Sequence, residues 1–331
     1  MSSTPETDMG ETRFPVPLEN ATPRTTRVGT VILGRMDFLS VLLRLIGMEL
    51  YKIRRRPMSK VLGVLAAFLA MLVPLAVGTE LLASKNTLAG EPDLLAALSE
   101  PLRLPSSLGI ASTQGELNPA IILMIILVGA LAGGELSIGT VRLMFTRGPW
   151  RGQFLLAKYG AALICTVLGV LGMTLVGVLA GQVFNLLSGQ PQSLAFLTPA
   201  WLGHALLYLL ATMLNWFMYA VVAIFFAVLG RSTTAGIAGA LTWFFGEPIV
   251  SSILTLAGNF SVGKVGDFLH ALPDYLMGNN ARALQLSQAS VLFGGNAQSA
   301  PDLQRLIVLA VYLAVFIGLT WWLNESRDVT N

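Results

Sequence analysis

Six long apolar runs govern what this 331-residue chain can become. They lie at about 61–82, 119–134, 157–184, 199–229, 233–257 and 305–323. A helix needs roughly 20 apolar residues to cross the hydrocarbon of a bilayer, so each run is a candidate span. The pattern predicts an all-α, polytopic membrane protein with six transmembrane helices. The fourth run would be about 46 Å long at 1.5 Å per residue, more than the roughly 30 Å hydrocarbon core, and is expected to tilt or protrude. The sixth ends in Trp321 and Trp322, aromatic residues suited to a membrane interface.

Composition fits this reading. Only 12% of residues are charged and 54% are hydrophobic, whereas soluble domains carry about 25% charged residues. The single cysteine, Cys165, leaves no intrachain disulfide. Two histidines, His204 and His270, are too few for the three or four nitrogen and sulfur ligands typical of zinc or iron sites. No metal and no bound cofactor are expected.

Residues 1–30 are rich in Thr, Pro, Glu and Arg and read as a disordered tail, without the early apolar core of a signal peptide. The membrane domain is expected over 31–331. At its start, "MDFLSVLLRLIGMELYKIRRRP" (36–57) is apolar but too broken by charge to span. On a helix, Ser40, Arg44, Gly47 and Tyr51 form a narrow polar stripe flanked by Phe38, Leu39, Leu42, Leu43, Leu45, Ile46 and Leu50. Such a helix suits the membrane interface, with Arg44, Lys52, Arg54, Arg55 and Arg56 among the headgroups. The competing reading is a helix packed on other protein.

Basic residues divide unevenly between the two sets of connections. Sixteen fall with the N-terminal region and C terminus, and five on the opposite side, which puts both termini in the cytoplasm. Gly129/Gly133 and Gly177/Gly181 are spaced for close helix approach, although glycine is simply common here, with 33 in the chain.

Catalytic motifs do not emerge. "GNFSVGKV" (258–265) matches a phosphate-binding loop except that Val265 replaces the hydroxyl that holds magnesium, and it falls on the outer side. No nucleophile–base pair or carboxylate pair appears, so the chain is not expected to be an enzyme, and nothing suggests nucleic acid. Transport would draw energy from an ion gradient or from a partner.

The connection "GGELSIGTVRLMFTRGPWRGQFLLAKYG" (133–160) is the most informative stretch. Glu135 and Arg142 bracket Gly139-Thr140, and apolar residues 141 and 143–145 are too numerous for a solvated loop. Gly148-Pro149 stops any helix before Trp150 and Arg151 begin the return. A short helix with exposed apolar residues and a basic rim suits docking to a partner.

That pattern resembles the cytoplasmic segment of ABC-2-type permeases, the membrane subunits of ATP-binding-cassette exporters. "MELYKIRRRP" looks like the elbow helix that precedes their first span. The resemblance covers about residues 36–331. It implies a coupling helix within 135–158 that docks on a separate cytoplasmic ATPase, with Glu135, Gly139, Thr140, Arg142, Arg147, Pro149 and Arg151 in the docking motif. It also implies a second permease copy or paralogue, ATP and magnesium on the partner, surrounding lipid, and a prokaryotic cell membrane. Basic residues that merely anchor the loop to anionic lipid are the simpler alternative for Arg142, Arg147 and Arg151.

Rival classes are an ion-coupled secondary transporter or channel, and a non-transporting scaffold permease of an envelope machine. An ion-coupled transporter needs several intramembrane ionisable groups, and Glu247 is the one strong candidate. Pro248 follows it, so the fifth span is expected to kink or break there, with Glu247 facing a translocation pathway. The outer segment 258–304 is expected to shape an exit.

Overall fold

A computed structural model describes residues 38–87, 90–109, 118–138, 150–189, 192, 194–293 and 301–326. Every regular element among them is helical. The order is α1 (Phe38–Arg55), α2 (Pro57–Ser84), α3 (Pro92–Ser99), α4 (Ser106–Gly109), α5 (Pro119–Ile138), α6 (Arg151–Ser188), α7 (Pro199–Leu229), α8 (Thr233–Phe260), α9 (Lys264–Ala271), α10 (Met277–Phe293) and α11 (Asp302–Ser326). Single 3-10 turns at Glu100–Leu102 and Leu272–Tyr275 join α3 to α4 and α9 to α10.

Six of these helices, α2, α5, α6, α7, α8 and α11, are long and apolar enough to cross a membrane. Their bounds extend the apolar runs wherever polar residues continue the helix. Thus α2 starts at Pro57 rather than near 61, because Arg56 is extended and proline's fixed φ suits a first helical position. Helix α6 starts at Arg151, six residues before its apolar run, where Gln153 Oε1 accepts the Trp150 backbone N–H at 3.1 Å. It ends where Gly189 turns left-handed at φ 71°. Its 38 residues give about 57 Å of helix, nearly twice the hydrocarbon thickness.

Helices α5 and α7 form the inner pair, with 67% of each apolar stretch buried, against 17–28% for the other four. Val221, Val222, Ile224 and Met218 of α7 lie fully enclosed against Ile125 and Val128 of α5. The outer helices leave Val64, Leu168, Leu179, Ile253 and Val311 largely exposed. A water-soluble protein rarely presents so large an apolar surface, whereas lipid solvates it without penalty.

Small residues set the close approaches. A Cβ on Gly129 would meet Ile237, and one on Gly133 would collide with the backbone of Thr233, so α5 and α8 touch along this pair. A Cβ on Gly181 would stand 3.0 Å from the Leu102 carbonyl oxygen. The α7–α8 hairpin closes through Gly230 and Arg231, and Ser232 caps α8 by accepting the Ala235 N–H at 3.0 Å.

Two features depart from expectation. Helix α8 runs without a break through Pro248. Proline removes one backbone hydrogen bond, whereas unwinding a turn would strand several polar groups among apolar helices, so continuity costs less. The outer segment also holds α9 and the 17-residue α10, which no apolar run announced. Asn280, Ala281, Leu284, Gln285 and Ala289 of α10 are buried against α7 and α11.

Candidate functional site

At one end of the bundle, α1, α5 and α6 bring four charged side chains together. Lys158 of α6 is 1% exposed, Glu49 of α1 3% and Glu135 of α5 8%. Lys158 Nζ lies 2.9 Å from Glu135 Oε2, 3.5 Å from Glu49 Oε1 and 3.2 Å from the Leu131 carbonyl, using all three ammonium donors. Lys52 completes the ring, pairing with Glu49 at 3.2 Å and hydrogen-bonding Glu135 Oε1. Two positive and two negative groups thus cancel in a region where any one alone would carry a large desolvation cost.

Burial works against the charge on Lys52, yet its hydrogen bond to Glu135 and the charges of Glu49 and Glu135 outweigh it. Its ammonium therefore titrates above the ordinary lysine value. Beside the ring, Arg56 Nη1 donates to the Ala130 carbonyl at 3.1 Å and its guanidinium lies against Gly134. The end of α1 is thereby fastened to α5 twice.

The predicted basic residues of α1 separate into two groups. Lys52 and Arg56 turn inward to this network, while Arg44, Arg54 and Arg55 are exposed. Arg55 stacks over Tyr51 at 5.2 Å and donates to its hydroxyl at 3.1 Å. Leu45 and Glu49 of this helix pack on the bundle, and Phe38, Leu39, Leu43, Met48 and Tyr51 stay exposed. Of the residues expected from sequence to dock a partner, Glu135 is enclosed in the ring. Arg151 Nη1 donates to the Glu325 carbonyl at 3.3 Å, and its own carbonyl accepts from Asn324 at 3.2 Å, tying α6 to α11. Gly139, Thr140, Arg142, Arg147 and Pro149 lie outside the described residues.

Glu49 was not singled out by sequence reasoning, although a signal existed. Leu45, Glu49, Lys52 and Arg56 recur at helical spacing and share one face, opposite the stripe of Ser40, Arg44 and Tyr51. An acid on that face, bordered by Met48 and Leu50 and followed by Lys52, marks a place where charge is enclosed.

A second polar site surrounds Glu247, midway along α8 and 7% exposed. Its Oε1 accepts the backbone N–H of Gly278 at the start of α10. A Cβ on Gly278 would crowd Glu247 Oε2 and the Tyr219 hydroxyl, so only glycine lets the α10 N terminus come this near. Asn279 reaches Ser251 Oγ at 2.9 Å, and Asn215 donates to Gln285 at 3.2 Å. These groups, with Asn118 and Arg282, line a polar cavity of about 110 Å³. On the other side of Glu247, Phe226, Gly239, Thr242, Trp243, Gly246, Val250 and Leu276 line an apolar groove of about 430 Å³.

Six apolar helices, polar clusters enclosed between them and outward apolar faces define a multi-pass α-helical membrane protein. Over residues 108–330 the chain matches the family described as protein of unknown function (DUF2705), and it belongs to that family. No curated protein matches the sequence.

Proposed function

We propose that this chain is the permease subunit of an ATP-binding-cassette exporter of the ABC-2 type, working with a separate cytoplasmic ATPase and a second permease copy. The ion-pair ring of Glu49, Lys52, Glu135 and Lys158 carries the reading. It joins the amphipathic α1 to the two helices that flank residues 139–149, the segment that resembles a coupling helix. A push on that segment would reach α1, α5 and α6 as one body, because pulling any member away would strand a buried charge. In this reading α1 is the elbow helix, its exposed Phe38, Leu39 and Leu43 lie in the cytoplasmic headgroup layer, and both termini face the cytoplasm of a prokaryotic cell. ATP and magnesium belong to the partner.

The test is the double substitution Arg142→Glu with Arg147→Glu, chosen because Arg151 has a structural role at the α6–α11 contact. The expected outcome is a normally inserted chain that no longer co-purifies with a co-expressed ABC ATPase that binds the unaltered chain. Retained co-purification and coupled ATP hydrolysis would reduce the segment to a lipid anchor.

A further inference from the structure

We infer that Glu247 and the groove beside it form a binding site for a small amphipathic organic cation, with its positive centre against the carboxylate and its apolar body along α8. This names a substrate class for the proposed permease and rests on that reading only for transport, not for binding.

Three observations support it. First, Glu247 is more than nine-tenths buried, and its Oε2 has no hydrogen-bond partner among the described residues. The Trp243 indole N–H approaches the carboxylate and offsets part of its charge, but falls short of a full hydrogen bond. A buried carboxylate oxygen left this way is costly, and a cation offsets that cost directly. Second, the two faces of Glu247 differ: a polar cavity on one side, an apolar groove with Trp243 and Phe226 on the other. An aromatic wall next to an acid attracts a cation with an apolar body twice over, through the ring face and through the charge. Third, Glu247 stands 14 residues from the start of a 28-residue span, about 21 Å along it. A phospholipid would have to drag its headgroup far from the interface to reach the acid, so a detached small molecule fits the depth better.

Residue choice around the site agrees. Gly246 lines the groove, and a Cβ there would meet nothing within 4 Å, so the space is open.

The experiment uses the full chain, purified alone in nanodiscs without ATPase or nucleotide, and measures equilibrium dialysis of tetraphenylphosphonium and its anionic isostere tetraphenylborate. Wild type should retain the cation at least tenfold more tightly than Glu247→Gln, which keeps an acceptor for the Gly278 N–H. Binding of the anion should be insensitive to that change. Gly246→Leu should fill the groove and abolish cation binding while thermal unfolding stays unchanged, a safeguard if the Gln variant folds poorly. Equal retention of cation and anion, or equal cation binding by Glu247→Gln, overturns the proposal. So does displacement of the cation by short-chain phosphatidylcholine, which assigns the groove to lipid, or a Gly246→Leu variant whose only defect is a lost dimer. Since no ATPase is present, a failure here is distinct from a failure of the coupling test.

Discussion

Lys158 Nζ stands 2.9 Å from Glu135 Oε2, and both reach it from helices that also hold α1 through Glu49 and Lys52. The geometry makes charge balance, more than any single bond, the quantity that matters. Lys158→Met leaves two buried acids facing one lysine and should destabilise the protein by about 3–5 kcal/mol. Adding Glu135→Gln restores neutrality, since Glu49 and Lys52 still pair, and should recover at least half of the loss. Denaturant unfolding in detergent measures both. Equal losses in the single and double variants would show that packing, not charge, holds the three helices.

Lys52 supplies a pH signature. Its folded-state pKa is raised, so its contribution to stability is fully present below the ordinary lysine value of 10.5 and disappears as pH climbs through the raised value. Attachment of α1 should therefore be flat across neutral pH and weaken only in the alkaline range above about 10.5. Lys52→Arg should push that weakening higher still, because guanidinium stays protonated. A fluorescent label at Met48→Cys, in a Cys165→Ala background, reports the release. Release beginning near neutral pH would contradict the role given to Lys52.

Glycines offer a contrast within one variant set. Gly133→Ala forces a Cβ into the Thr233 backbone, which cannot swing aside, and should cost about 1–3 kcal/mol. Gly172→Ala and Gly63→Ala meet nothing within 4 Å, and both should be neutral or slightly stabilising because alanine favours helix. Thermal unfolding of the three single variants separates them. A tolerated Gly133→Ala would mean that α5 and α8 are not in close contact.

Much of the frame was legible because lipid imposes a coarse rule. Uninterrupted apolar stretches mark spans, and the 199–229 run coincides with α7 residue for residue. The spacing of Gly129 and Gly133 likewise pointed to a close approach that the structure contains, here against α8. Helix ends were less legible, since α6 begins with polar residues held by a cap rather than by hydrophobicity. Helix α10 escaped because Asn280 and Gln285 interrupt the apolar residues of its buried face, where hydrogen bonds allow them to be enclosed. At the candidate sites, Glu135 and Glu247 stood out as acids beside or within apolar runs. Their partners, Lys52 and Lys158 for one and Gly278 for the other, are brought in by tertiary contact, and α8 stays helical through Pro248.

The ion-pair ring also has a history written into its order along the chain. Glu49 and Lys52 emerge together during synthesis and cancel on α1 before any partner exists. Glu135 then adds one uncompensated negative charge, and Lys158, the group that balances it, follows 23 residues later. At about 5–20 residues per second, the ring itself is incomplete for about 1–5 s. The second and third spans therefore complete the ring only as a pair, and α1, made first, already carries the two groups that receive them.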